Sequence, residues 1–328
     1  MNARRMLRLL QPALVVIALV FVGLLLAAQW QELRAYPWTL RPGWLLVSAL
    51  FLLASWAMEI GIWRTLLHAV GAGLPFVPAV RIWFLSAVVR YIPGNIWQPL
   101  SMTIQAQRWG VPAEATITGV VLYQAVILLA VAPLTALYLI LTGNLGLFTD
   151  FLAAWTPWII AAAMLPALLF LARPQWLIDM INWALAKLGR SPLATRLTTA
   201  RLLGLLVVAA LNWLLWGASF AALAFALSDD SAAEMLRLLP HLLFSYPIAY
   251  AIGFLSFITP SGFGVREGAF YVLLAPIMTG GVATAIALAM RLWTTLGEVV
   301  MAGLAALFVP AAPHVAPVAA DDPLHEAP

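Results

Sequence analysis

The chain has 328 residues, of which 64% are hydrophobic and only 9% are charged. Soluble domains carry roughly 25% charged residues, so this composition excludes a soluble globular domain and a disordered chain. It indicates an integral membrane protein, and at about 20 residues per span the length allows roughly seven to nine crossings. The predicted fold class is an all-α polytopic membrane helix bundle. We expect one transmembrane domain over residues 1–309 and a disordered, Pro/Ala-rich tail over 310–328.

Several kinds of chemistry are absent from the sequence. There is no cysteine, and the only lysine, Lys187, does not follow a phosphate-binding glycine motif. The four histidines form no H-E-x-x-H pair. We therefore predict no disulfide, no metal site, no cofactor and no ATP hydrolysis by the chain itself. The net charge of +4 is assigned to cytoplasmic loops that face anionic lipid rather than to nucleic-acid binding.

The N-terminal half of the chain contains apolar runs and one interrupted segment. Arginines at positions 4, 5 and 8 precede the run from Pro12 to Trp30, which is longer than the apolar region of a signal peptide. We interpret it as an uncleaved first span with a cytoplasmic N-terminus. A second span follows over Gly43–Trp63, with Trp63 in the aromatic belt of the membrane interface. The third stretch, Arg81–Gln105, breaks at residues 90–95.

The rest of the chain continues the alternation. The predicted spans are Thr116–Thr142, Trp158–Ala172, Leu202–Leu227, His241–Ile258 and Ala283–Val309. The loop over 173–201 is the most basic stretch, so it and both termini are placed in the cytoplasm. Apolar residues at helical spacing within this loop predict a short helix lying in the membrane interface. A second break occurs at residues 259–264, and the following stretch, Arg266–Met278, is too short to span easily.

Six ionisable residues lie inside predicted spans or at the breaks. Each costs about 2.5–3.5 kcal/mol at the membrane centre on insertion scales, so it must pair, face water or bind something. Arg291 and Glu298 are two helical turns apart and share a helix face. Mutual ion pairing, for instance of Glu59 with Arg90 or Arg266, is one interpretation. Binding of a charged ligand is the other, and the two are compatible.

Both breaks contain proline and glycine. Broken backbone at membrane depth is tolerated only where protein or a water-filled cavity satisfies it. Pro93 and Pro260 are 167 residues apart, close to half the chain (260 − 93). Interrupted segments at matching places in two halves are typical of a transporter's binding site. The alternative is a simple loop between two ordinary spans at either position.

The residues of the two breaks resemble a known family. Arg90-Tyr91-Ile92-Pro93-Gly94-Asn95-Ile96-Trp97 is similar to the first signature of the lysylphosphatidylglycerol synthase transmembrane family. The segment Pro260-Ser261-Gly262-Phe263-Gly264-Val265-Arg266-Glu267-Gly268 resembles the second. The resemblance covers roughly residues 12–309. An acidic residue and an arginine are expected in the fourth span, where Tyr123-Gln124 stands instead.

The resemblance implies lipid handling by an inner-membrane protein, as in the flippase half of the multiple-peptide-resistance-factor proteins. We expect no aminoacyl-transferase domain, since only a short tail follows Val309. Three functions stay open: a flippase or transporter for an anionic phospholipid or related lipid, a membrane-embedded transferase using a lipid-phosphate donor, and a partner protein of lipid-synthesis enzymes. A homo-oligomer is also considered. For the transferase, Asp229-Asp230 could hold a divalent metal.

The expected lipid-binding residues come from both breaks and the last span. The predicted localisation is the bacterial inner membrane. The arginines would bind lipid phosphate through their planar guanidinium groups. The glutamates would orient the arginines or contact a cationic headgroup. The set comprises Arg90, Tyr91, Pro93, Gly94, Asn95, Trp97, Pro260, Ser261, Gly262, Gly264, Arg266, Glu267 and Arg291, with Glu59 and Glu298 as charge partners and Gln98 as a further lining residue.

Overall fold

The computed structural model describes residues 27, 30–90, 96–142, 156–187, 189, 192, 195–256 and 262–311. This part of the chain is helical and contains no β-strand. In chain order the helices are α1 (Trp30–Ala35), α2 (Pro42–Ala69), α3 (Phe76–Val89), α4 (Trp97–Gln107), α5 (Ala113–Leu129), α6 (Val131–Thr142), α7 (Thr156–Ala172), α8 (Gln175–Lys187), α9 (Thr199–Ala226), α10 (Ala232–Leu255), α11 (Val265–Leu274) and α12 (Gly280–Phe308).

Five helical segments are long and apolar enough to cross a membrane: α2, the joined α5 and α6 over Ala113–Leu141, α9, α10 and α12. A sixth candidate consists of Met164–Ala172 of α7 and α8, which bend by 92° at their junction. The predicted all-α polytopic bundle is confirmed, with five or six span candidates in the described residues against the seven to nine expected. The predicted first span lies almost wholly outside the described residues, as does the predicted tail from residue 312 onward.

Helix α8 occupies the position of the predicted interfacial helix. Leu177, Ile178 and Leu185 are buried against the protein, while Trp176 and Trp183 are exposed. A helix that turns sharply from its predecessor and exposes two tryptophans suits the level of the lipid headgroups.

Short helices double back within the bundle at two places. Helices α3 and α4 contact each other and are about 21 Å and 16 Å long at 1.5 Å per residue, so neither crosses a hydrocarbon core of about 30 Å. Helix α11 is shorter still and packs against α10. The helices stop on either side of both predicted breaks. The tips, residues 91–95 and 257–261, lie outside the described residues.

The turn into α11 depends on two glycines. Gly262 and Gly264 have φ angles of 66° and 82°, in the left-handed region that glycine adopts without steric cost. A Cβ on Gly262 would lie 2.9 Å from the backbone of Gly253 in α10. The glycines therefore let the chain reverse in contact with α10, which brings Arg266 and Glu267 back beside that helix.

Helix α12 fixes both hairpins. It contacts α3 on one side and α11 on the other. The guanidinium of Arg81, in α3, donates to the carbonyls of Ala305 and Ala306 at 2.8 and 3.1 Å and also to that of Val309. A cation at a helix C-terminus satisfies carbonyls that have no partner within the helix. This contact holds the start of α3 beside the end of α12, so the two helices run antiparallel.

Helix α9 lies at the centre of the bundle between α2 and α10. The hydroxyls of Ser48 and Ser219 donate to each other's backbone carbonyls, at 2.8 and 2.9 Å, and join α2 to α9. On the other side, Gly217 packs directly against the backbone of Leu243 in α10. Small residues allow this close approach of membrane helices, which association in lipid depends on.

We expect Gly217→Ala to destabilise the protein by about 1–3 kcal/mol or more, the range of overpacked cores. The reason is that the added Cβ would lie 1.9 Å from the carbonyl oxygen of Leu243. Gly204→Ala, in the same helix with nothing within 4 Å of the added Cβ, is the matched control. The apparent melting temperature in detergent measures the difference. Equal melting temperatures for the two variants would contradict this packing.

Candidate lipid-headgroup cavity

A cavity of about 460 Å³ lies inside the helix bundle. Its wall draws residues from α2, α3, α4, α5, α9, α10, α11 and α12. The structure brings all six ionisable residues singled out from the sequence into this one wall: Glu59, Arg90, Arg266, Glu267, Arg291 and Glu298. Charges spread over 240 residues of sequence therefore face a common space.

The first ion pair joins the α3–α4 hairpin to α12. Arg90 follows the last residue of α3, and its guanidinium pairs with the carboxylate of Glu298. The Glu298 side chain is almost fully buried, while that of Arg90 is about one-third exposed. Because α12 also carries Arg291 two turns earlier, it presents one acidic and one basic group to the cavity.

The second ion pair joins α11 to the same helix. The Arg291 guanidinium lies 3.2 Å from the carboxylate of Glu267 and 4.7 Å from the centroid of the Phe263 ring. Glu267 also accepts the backbone N–H of Gly264 at 2.7 Å, which caps the first turn of α11. One buried carboxylate thus holds the glycine turn and orients Arg291.

Arg266 is the third cavity arginine and is held differently. Its guanidinium lies 4.5 Å from the ring centroid of Tyr246, 5.6 Å from that of Tyr250 and 5.9 Å from that of Phe270. Ring faces attract cations without neutralising them. Among the residues that the structure describes, no carboxylate lies within 4 Å of Arg266. Arg266 therefore has no ion-pair partner among the described residues, although the three glutamates of the cavity wall balance its three arginines in formal charge.

Glu59 lies in the middle of α2 and is buried. The sequence suggested an ion pair with Arg90 or Arg266. In the structure Arg90 pairs with Glu298, and the indole N–H of Trp216 donates to the Glu59 carboxylate at 2.9 Å. The suggested partner assignment is therefore corrected, although Glu59 does face the same cavity as both arginines.

Aromatic side chains form much of the remaining wall and were missed from the sequence. Trp216 stacks on Tyr246 with centroids 5.2 Å apart and planes 8° apart. Trp63, expected at a membrane interface, is instead fully buried and lines the cavity. Position gave a usable signal for Trp216, near the middle of the predicted span Leu202–Leu227, because an aromatic residue there cannot belong to an interfacial belt. It gave none for Trp63, which ends its predicted span.

The remaining predicted site residues fall into three groups. Gly262 and Gln98 line the cavity, and Gly264 is buried beside it. Trp97 begins α4 and is partly exposed rather than part of the cavity wall. Six residues lie outside the described part of the chain: Tyr91, Pro93, Gly94, Asn95, Pro260 and Ser261.

The substituted pair Tyr123 and Gln124 also lines the cavity. Gln124 donates to the Tyr250 hydroxyl at 3.4 Å, which links α5 to α10. This position therefore reaches the cavity even though it lacks the acidic residue and arginine expected from the family resemblance.

The fold and the cavity define a multi-pass helical membrane protein with a charged interior site. The family model described as "Lysylphosphatidylglycerol synthase TM region" matches residues 9–314, and the chain belongs to this family. Membership supports a membrane-associated, lipid-related function. No curated protein and no solved structure matches the chain.

We expect Arg90→Ala to destabilise the protein by about 3 kcal/mol, because it leaves the Glu298 carboxylate buried without its cation. Adding Glu298→Gln should recover most of the loss. The exposed pair of Arg237 and Glu234 supplies the control, since Arg237→Ala breaks an ion pair in water and should cost much less stability. Apparent melting temperatures in detergent measure all three. A loss for Arg90→Ala no larger than that for Arg237→Ala would refute the structural role of the pair.

Proposed function

We propose that the protein is an inner-membrane lipid transporter, a flippase for an anionic phospholipid or a related lipid. The observation that carries the proposal is Arg266, a cation inside a membrane-embedded cavity with aromatic rings around it and no carboxylate partner among the described residues. The other two cavity arginines each have a carboxylate. Arg266 is thus the cavity arginine best placed to receive the anionic group of a ligand.

The chemistry of arginine favours a phosphate as that anion. Guanidinium offers two parallel N–H donors that match two phosphate oxygens, and it is less strongly hydrated than an ammonium group. An unpaired charge at membrane depth costs about 2.5–3.5 kcal/mol on insertion scales. A bound phosphate would offset that cost. A lipid headgroup is the source of phosphate that the surrounding bilayer supplies.

The size of the cavity suits a headgroup. Small-molecule sites commonly measure about 300–1,000 Å³, and this cavity is about 460 Å³. Its wall combines charged groups with aromatic rings, as in sites where a few polar groups fix orientation within an apolar surround. Glu59 lies elsewhere in the same wall and could accept a donor from the headgroup, such as a hydroxyl or an ammonium group.

One carboxylate of the acidic pair on which the transferase alternative rested, that of Asp229, is engaged in an ion pair. Asp229 pairs with Arg41 at 2.7 Å, and the backbone carbonyl of Asp230 accepts from the same guanidinium at 3.1 Å. These contacts tie the segment before α2 to the end of α9. The structure therefore favours transport over that form of group transfer. A second copy of the chain, or a lipid-synthesis enzyme, is the partner we would seek, and nucleic acid is not.

The proposal predicts that Arg266→Lys lowers lipid translocation about tenfold, because a point charge cannot reproduce the planar fork. The measurement is the quenching of a fluorescent phosphatidylglycerol analogue in proteoliposomes, after equal melting temperatures have been verified. Arg237→Lys, far from the cavity wall, is the matched control and should not change the rate. Undiminished transport by Arg266→Lys and by Arg266→Gln would overturn the assigned role.

The proposed orientation places both termini and the basic loop over residues 173–201 in the cytoplasm. Because the chain lacks cysteine, single thiols report on sidedness without background. In intact cells we expect an impermeant maleimide to label Ala233→Cys, at the outer end of α10, and to spare Ser191→Cys. Labelling of Ser191→Cys from outside the cell would contradict the proposed orientation.

A further inference from the structure

We propose that the cavity opens sideways into the bilayer between α5 and α10, and that the acyl chains of the bound lipid leave through this opening. The inference rests on the proposed function. It adds a route for the apolar part of the lipid while the headgroup stays at Arg266. We call the opening the lateral portal and define it by Val121 of α5 and Phe254 of α10.

Exposure of the cavity wall identifies the open side. Trp56 of α2, Trp213 of α9 and Met290 of α12 line the cavity and are buried, while Gln98 and Pro99 of α4 are half-buried. Val121 is 47% exposed and Phe254 is 37% exposed, although both also line the cavity. Among the described lining residues these two are the most exposed, and both are apolar. The cavity therefore meets the outer surface at an apolar rim.

The pairing of α5 and α6 with α10 places these two residues opposite each other. Tyr138 of α6 bonds to His241 of α10 at 3.0 Å, and Gln124 of α5 bonds to Tyr250 at 3.4 Å. Between these two bonds the residue number falls from 138 to 124 in α5 and α6 and rises from 241 to 250 in α10, so α10 runs antiparallel to them. Val121 precedes Gln124 by about one turn, and Phe254 follows Tyr250 by about one turn. Both therefore lie to the same side of the Gln124–Tyr250 bond.

A continuous series of side chains connects the anion site to the portal. The Arg266 guanidinium lies 5.6 Å from the Tyr250 ring, and the Tyr250 and Phe254 rings stack with centroids 6.1 Å apart. One end of the series is cationic and the other is apolar and exposed. A phospholipid has the same sequence of groups, from phosphate through glycerol to acyl chain. Because the two orders match, we assign the portal to the acyl chains of the lipid.

Physical chemistry requires such an opening for an amphiphile. Two long acyl chains drawn wholly into the cavity would bring hydrocarbon beside its six ionisable groups and away from the hydrocarbon of the bilayer. A side opening avoids this transfer, since the chains remain in the bilayer while only the headgroup enters. The hydrogen bond between Gln124 and Tyr250, beside the portal, is long at 3.4 Å. Because a hydrogen bond of this length is weak, breaking it costs a passing lipid little free energy.

The test blocks the portal with a bulky adduct. Val121→Cys and Phe254→Cys give single thiols in a chain without cysteine, and Val207→Cys in α9, 52% exposed and outside the cavity wall, is the control. Each variant is labelled in detergent with a bulky polar maleimide and reconstituted. Compared with its own unlabelled form, labelling at position 121 or 254 should lower translocation of fluorescent phosphatidylglycerol about tenfold. Labelling at position 207 should not.

Two outcomes would overturn the portal: no inhibition by either adduct, or equal inhibition by the adduct at position 207. A second readout does not depend on transport. Phosphatidylglycerol with a photoactivatable group in its acyl chain should form adducts around Val121 and Phe254 in excess of those around Val207. Equal labelling of all three regions would count against the portal. If the unlabelled protein moves no lipid, the proposed function fails, and photolabelling alone then decides the portal.

Discussion

The arrangement of this protein depends on two ion pairs that α12 makes inside the membrane. Glu298 holds Arg90 at the end of the α3–α4 hairpin, and Arg291 holds Glu267 at the start of α11. Each charge alone would be costly at this depth, and each pair joins a short helix that cannot span the bilayer to one that can. The same pairs therefore stabilise the charges and position the two hairpins around one cavity.

The two ion pairs also distinguish Arg266 from the other two cavity arginines. With the other two arginines neutralised, Arg266 is left against Tyr246, Tyr250 and Phe270. Removing one partner from a buried ion pair leaves the other charge without a partner. Binding of an anion at Arg266 would instead form a new ion pair. Under the proposed function, stability and ligand binding therefore depend on different arginines of the same cavity. The rings of Tyr250 and Phe254 then connect the proposed anion site at Arg266 to the exposed surface of α10. In the proposal, the acyl chains of the lipid stay in the bilayer at this surface.

The sequence predicted the helical bundle, the breaks and the six cavity charges, because insertion cost makes every charge within a span conspicuous. It did not predict the pairing. Arg291 and Glu298 share a helix face, but their partners are set by how α3 and α11 rotate against α12, which spacing along one helix does not encode. An ion pair of Glu59 with Arg90 or Arg266 is one interpretation of the sequence, whereas in the structure Glu59 accepts a hydrogen bond from Trp216 and Arg90 pairs with Glu298. The aromatic wall was missed because tryptophan is common in membrane proteins, and only its depth distinguishes Trp63 from an interfacial residue.

The central claim is that Arg266 binds a lipid phosphate inside the cavity. The most direct measurement is native mass spectrometry of the lipids that co-purify with the protein in mild detergent. We predict a bound anionic phospholipid on the natural chain, its loss in Arg266→Gln, and its retention in Arg237→Gln, which removes an exposed arginine of the same helical bundle. Equal lipid occupancy in the two variants would contradict the account.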